Sequence, residues 1–295
     1  MKPTEAAYFT AFFFRNIIGR RGEPLILGLG LTNRCNLLCQ HCVFHSGYND
    51  LSYEEAVALI HTFYRKGARI LFIQGGEAFL WRDGNRTMED LILVAKKEGY
   101  FKVAVATNGT FPLITAADLV WVSVDGGRKN HNRIRNGSYE QVIKNLKENT
   151  HPRVNINMTI NRLNRADLEE VAALAKTLPT IKGVSFNFHT PFPGVEDLAI
   201  SAEERKICID RIIQIKKKGY PVVNSYAALQ ALKRNNYPRP VNLICLIEKG
   251  QAYPCCFGRI SPGVCQDCGY GIIAELSLLS RGNLKVIPGA LRLFS

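Results

Sequence analysis

No run of roughly eighteen uncharged apolar residues occurs in this 295-residue chain, which excludes a hydrophobic helix long enough to span a bilayer. The first residues lack the basic, apolar and small-residue series of a secretory signal, so the sequence predicts a cytoplasmic protein. Neither a solenoid-length repeat nor a low-complexity tract is present, which excludes stacked-repeat architectures. Long basic runs are missing as well. The formal charge is +13, yet lysines and arginines are scattered apart from Lys216 to Lys218, which suit a helix C-terminus. The charge therefore points to anionic partners in general and, without a recognisable binding module, argues against nucleic acid. A composition 46% hydrophobic and 21% charged excludes general disorder and allows one large core, or a large domain with a small one.

Cysteine is plentiful: nine residues, which in a reducing compartment read as metal ligands rather than disulfide partners. Cys35, Cys39 and Cys42 lie near the start, and Cys245, Cys255, Cys256, Cys265 and Cys268 near the end. Only Cys208 falls between, inside an amphipathic helical pattern, and it reads as packing. Two groups of thiols predict two sites.

From Leu25 onward, apolar runs rich in β-branched and aromatic residues recur at 25–31, 69–75, 102–108, 119–125, 153–160 and 183–189. Amphipathic segments at 52–67, 87–99, 138–149, 164–178 and 201–219 separate them, acidic at their starts and basic at their ends. The first opens with Ser52 and carries Glu55 three residues later, as a capping box requires. Six strands alternating with helices predict an α/β fold with a parallel sheet, either open or closed into a complete or partial barrel, with function at the strand C-terminal ends. After Gly219 the chain becomes turn-rich, and residues 220–295 read as a small lobe organised by something other than a hydrophobic core, such as a bound metal.

The first three cysteines follow directly on the first strand, in "CNLLCQHC". Three thiolates in one loop can hold three irons of a cubane and leave the fourth open, whereas zinc more naturally takes four ligands in paired motifs. This segment resembles the CxxxCxxC signature of the radical S-adenosylmethionine (SAM) superfamily. Three later segments resemble that superfamily too. Gly75, Gly76 and Glu77 resemble its GGE motif, with Ala78 in place of the usual proline; "TNGT" with Asn108 resembles TNG; "SVDGG" with Ser123 and Asp125 resembles its S-x-D-G stretch. "HNRIRNG" places Arg135 where the resemblance implies a contact to the SAM carboxylate, and Asn157 and Thr159 mark the fifth strand, where a further polar contact is implied. The resemblance covers roughly residues 25–190 and implies a partial (β/α)6 TIM-type barrel. It also implies a [4Fe-4S] cluster with an open iron on Cys35, Cys39 and Cys42, SAM as cosubstrate, and an electron donor such as flavodoxin or ferredoxin. Reductive cleavage of SAM to a 5′-deoxyadenosyl radical is the implied chemistry. His189, at the end of the sixth strand, is a candidate proton donor or simply structural.

Gly250 followed by four residues and Cys255 resembles the GxxxxC element of SPASM and twitch domains, which carry auxiliary iron–sulfur clusters. Cys245, Cys255, Cys265 and Cys268 form the expected ligand set, with Cys256 as a rival to Cys255. Structural zinc and a metal-free lobe are the alternatives. Residues 1–24 read as an amphipathic leader, with four phenylalanines beside Arg15, Arg20 and Arg21. Such leaders are similar to those of adenosyl-hopene transferase-type members and suit peripheral contact with an anionic membrane; the competing reading packs the helix on the barrel. The division is thus leader 1–24, barrel 25–219 and cysteine-rich lobe 220–295. Three functions stay open: an enzyme acting on a lipid or isoprenoid, one modifying a ribosomal peptide, and a non-enzymatic zinc or iron–sulfur module.

Overall fold

The computed structural model describes residues 3–19, 22–43, 50–256 and 263–289. Its strands are β1 (Ile26–Gly30), β2 (Ile70–Gln74), the short pair β3 (Arg82–Asp83) and β4 (Arg86–Thr87), β5 (Lys102–Thr107), β6 (Leu119–Ser123), β7 (Val154–Ile160), β8 (Ile181–Phe188), β9 (Ile244–Glu248) and β10 (Gln251–Pro254). The α-helices are α1 (Pro3–Phe13), α2 (Tyr53–Arg65), α3 (Met88–Glu98), α4 (Arg128–Ile134), α5 (Tyr139–Lys147), α6 (Leu168–Thr177), α7 (Ala202–Lys217), α8 (Tyr226–Arg234) and α9 (Gly271–Leu279). Capping boxes start three of them: Ser52 with Glu55 for α2, Thr87 with Asp90 for α3, and Ser201 with Glu204 for α7.

One sheet runs β10-β9-β1-β2-β5-β6-β7-β8, parallel throughout except for β10. Strand alternation divides its side chains. Leu27, Leu29, Leu71, Ile73, Val103 and Val105 pack outward with α2 and α3, while Val120, Val122, Ile156, Met158, Val184 and Phe186 join a second cluster with α5 to α9. Opposite-parity residues Ala104, Leu119 and Trp121 meet one another and Val223, Phe72 and Ile272 on the inner face. Side chains from β2, β5 and β6 meeting residues 223 and 272 require the sheet to curl around them. The result is a partial barrel, open between β8 and β10, as the sequence predicts.

The C-terminal segment differs from expectation. The apolar stretch at 244–248 adds to the barrel as β9, pairing in parallel with β1 at Leu27 and Cys245, and β10 folds back on it. Leu229, Leu232, Ile273, Ala274 and Leu276 of α8 and α9 are buried in the cluster that includes Val184 and Phe186. The described stretches 220–256 and 263–289 therefore contribute to the barrel's hydrophobic core; the surrounding prolines and glycines obscure a strand and a helix that are individually apolar.

The leader packs on the end of the barrel opposite the cysteines. Tyr8 donates from its hydroxyl to the Gly67 carbonyl, Arg69 stacks over its ring at 4.5 Å, and Tyr8 and Phe9 meet Phe101 edge-on at 5.3 and 5.7 Å. Phe12 is 2% exposed, so with Tyr8 and Phe9 it is used internally, while Phe14 is exposed. Arg20 and Arg21 lie outside the described residues. Among the described residues no helix is long and apolar enough to cross a membrane.

Candidate active site

The loop after β1 is held by the loop after β2. Gly76 N donates to the Thr32 carbonyl at 2.7 Å and Glu77 N to the Arg34 carbonyl at 2.9 Å. Side chains would block this approach: a Cβ on Gly75 would lie 2.4 Å from Thr32 O, and one on Gly76 2.4 Å from Arg34 O. The two glycines thus set the position of the residues leading into Cys35. Gly76→Ala is expected to cost about 1–3 kcal/mol in denaturant unfolding and to lower the iron retained after reconstitution, because the added methyl meets backbone rather than a side chain that can move. Unchanged stability and iron content would show that the two loops do not need this contact.

Glu77 is buried, and its oxygens accept from Asn108 N at 2.7 Å, Thr107 Oγ1 at 2.9 Å and Phe79 N at 3.1 Å. Burial raises its pKa while these bonds pull the other way. Three donors on a carboxylate with about four acceptor positions leave about one for an outside ammonium. Asn108 in turn donates from Nδ2 to Asn36 Oδ1 at 2.8 Å and lies 3.7 Å from Cys35 Sγ. Asn36 donates to Thr110 Oγ1 at 2.9 Å, so the loops after β1, β2 and β5 form one network around Cys35.

Asp125 and Arg135 form a buried ion pair beside Cys39. Asp125 is fully buried; its Oδ1 accepts from Thr159 N at 2.6 Å and its Oδ2 from Arg135 Nε at 2.6 Å. Burial opposes its charge, but the Arg135 guanidinium foremost, with His41 and the Thr159 amide, holds it below the usual carboxylate range. Asp125 is therefore enclosed, and its bond to Nε orients Arg135. Arg135 Nη1 lies 3.9 Å from Cys39 Sγ, and burial pushes the Cys39 thiol up to about 11 against that cation's pull. His131 supports the pair: its Nδ1 accepts from Asp125 N at 3.2 Å, and burial lowers its pKa to about 4, keeping it neutral.

His41, between Cys39 and Cys42, was not marked out by sequence reasoning. Its Nε2 lies 3.7 Å from Asp125 Oδ2 and its ring meets His189 edge-on at 6.4 Å. His189 itself donates from Nε2 to the Val195 carbonyl at 2.8 Å, and burial lowers its pKa. Ser123 and Asn157 are register partners on the inner face of β6 and β7. Asn157 Oδ1 accepts from Asn187 of β8, whose Oδ1 accepts from Gly271 N at 2.6 Å, joining the inner face to the start of α9.

Of the later cysteines, the structure brings together Cys255, Cys256, Cys265 and Cys268 around one pocket, with Thr190, Arg239 and Tyr270. Cys245 is not among them. It sits on the outer face of β9 beside Leu27, Leu29 and Ile247, and its pKa is raised by burial with Lys66 as its charged neighbour. The backbone under the pocket is fixed from outside: Tyr237 donates to the Cys268 carbonyl at 2.9 Å and Arg205 to the Asp267 carbonyl at 3.0 Å. Cys208 is buried in α7.

The donor sets suit iron–sulfur chemistry. Burial foremost, with Asp125, Cys42 and Cys35 adding to it against the pull of Arg135, opposes a thiolate at Cys39, a charge that a cationic iron core would stabilise. Among the described residues no three His, Cys, Asp or Glu side chains converge on a single ion. In a cubane each thiolate takes a different iron, so such convergence is not required of these thiols. Among the described residues, Asn33 Nδ2 in the loop after β1 is a buried donor without a partner, as a carboxylate or ribose oxygen would need.

Residues 29–175 match the radical SAM superfamily. Fe-coproporphyrin III synthase of Methanosarcina barkeri is 27% identical over 225 residues, 68% of this chain and 54% of that protein. The antilisterial bacteriocin subtilosin biosynthesis protein AlbA of Bacillus subtilis is 29% identical over 192 residues, 59% of this chain and 42% of that one. The chain thus spans about half or less of the length of these relatives. SuiB of Streptococcus suis, bound to S-adenosylmethionine, superposes with a TM-score of 0.66 at 14% identity, over 87% of this chain and 67% of SuiB, a likeness of fold.

Proposed function

Because this chain belongs to the radical SAM superfamily, we propose that it cleaves SAM reductively, with Cys35, Cys39 and Cys42 holding a [4Fe-4S] cluster. When bound, such a cluster supplies the electron that splits SAM into methionine and a 5′-deoxyadenosyl radical. The observation that carries the reading is the single network joining the loops after β1, β2 and β5 at Cys35. Gly75, Gly76 and Glu77 fix the cysteine loop, and Glu77 keeps one acceptor position for the SAM ammonium. Arg135, oriented by Asp125, faces the SAM carboxylate beside Cys39. Ser123, Asn108 and Asn157 line the nucleoside side, and His189 acts in positioning His41 rather than in proton transfer.

Cys255, Cys256, Cys265 and Cys268 are the ligand set of an auxiliary iron–sulfur cluster, and an electron donor of flavodoxin or ferredoxin type completes the system. A peptide substrate draws support from those thiols. The lipid or isoprenoid reading loses its main support, since Tyr8, Phe9 and Phe12 are packed against the barrel. Anaerobic reconstitution with iron and sulfide, followed by reductant and SAM, should yield 5′-deoxyadenosine and methionine. An intact cluster that gives neither would return the chain to the class of non-enzymatic metal modules.

A further inference from the structure

Glu248 ends β9 on the inner face of the barrel, where alternation places Leu246 and Glu248 opposite the outward Cys245 and Ile247. It is 6% exposed, and among the described residues its Oε2 has no hydrogen-bond partner. Gly30 of β1 makes the room that the carboxylate itself occupies: a Cβ there would lie 2.8 Å from that oxygen. The inner face of the neighbouring strands offers no charge, since β1 presents Gly28 and Gly30 there and β2 presents Phe72 and Gln74. An acid buried without a partner is costly, and a hydrophobic or amide residue would fill the position at lower cost. None of the network around Cys35 uses it.

We propose that Glu248 anchors the substrate inside the barrel by pairing with a cationic nitrogen, so that the substrate carries a protonated amine or guanidinium at that point. The inference rests on the radical SAM reading for the location of the reaction. It selects against a purely hydrocarbon substrate and against one presenting a carboxylate or phosphate there. Burial pushes the carboxyl up to about 7, with Lys249 drawing it part of the way back, as expected of an acid still waiting for its counter-ion.

The test uses reconstituted protein saturated with SAM, titrated with n-butylammonium and, separately, with butyrate, and followed by saturation-transfer NMR. Butylammonium should bind and butyrate should not. Glu248→Gln should weaken butylammonium by about tenfold or more, the scale of a lost charge-assisted hydrogen bond, whereas Glu248→Asp, which keeps the charge, should stay within a few-fold. Unfolding temperature and iron content confirm that both variants are folded. A second measurement needs no variant: in the wild type, butylammonium should convert a protonated-carboxyl infrared band into a carboxylate band. Equal affinity of Glu248→Gln and wild type, binding of butyrate as strong as that of butylammonium, or an unchanged infrared band would each overturn the proposal. Failure of the SAM-cleavage reading would show instead as absent 5′-deoxyadenosine in the wild type, which this titration does not measure.

Discussion

Replacing Cys35, Cys39 and Cys42 together by alanine is expected to remove about four irons per chain and to abolish 5′-deoxyadenosine formation, because each thiolate of such a cluster holds a separate iron. Among the described residues the neighbouring ionisable groups are already engaged. Arg135 and Asp125 are committed to each other, Glu77 to three donors of its own chain, and His189 to the Val195 carbonyl. The fold should survive the change. Cys39 is buried but contributes little apolar area, and the loop is tied to the barrel through the Thr32 and Arg34 carbonyls rather than through its thiols. Metal-free variant and metal-free wild type should therefore unfold within about 1 kcal/mol of each other, the range of mild packing changes. Iron and product persisting in the triple variant would remove these cysteines from the site.

Much of this arrangement is written locally, and local features are what sequence reading recovers. The capping box at Ser52 and Glu55, the acid-first helices and the apolar strands depend on neighbours a few residues away. So does the order of loops that gathers Cys35, Gly76 and Asn108. Asp125 shows where that reasoning stops: its spacing from Ser123 suggests a ligand contact, but its role is set by Arg135 ten residues later and Thr159 on the next strand. A carboxylate's partners are a property of the fold. The leader is similar, since an aromatic-rich helix suits a bilayer or a core equally well until Phe101 and Gly67 are seen beside it.

The C-terminal thiols make the same point with a larger expected effect. Cysteine spacing selects Cys245, Cys255, Cys265 and Cys268, but spacing carries no information about which face of a strand a residue occupies. In "ICLIE" the period of two sends Cys245 outward with Ile247 and turns Leu246 and Glu248 inward. The fourth thiol at the pocket is then Cys256, adjacent to Cys255 and set apart from it by the left-handed backbone at Cys255, φ 74°.

Cys256→Ala should therefore lower reconstituted iron from about eight to about four per chain, one cubane's worth, while the cluster at Cys35 stays in place. Cys245→Ala should leave iron unchanged and cost about 1 kcal/mol of stability, as deletion of a small buried apolar side chain does. The reverse pattern would restore the ligand set read from spacing. Loss of about one zinc instead of iron would make the site a structural zinc centre, since zinc takes all four thiolates on one ion. The pair separates a ligand from a packing residue because Cys245 is buried on the outer face of β9 whereas Cys256, eleven residues later, is half-buried at the pocket.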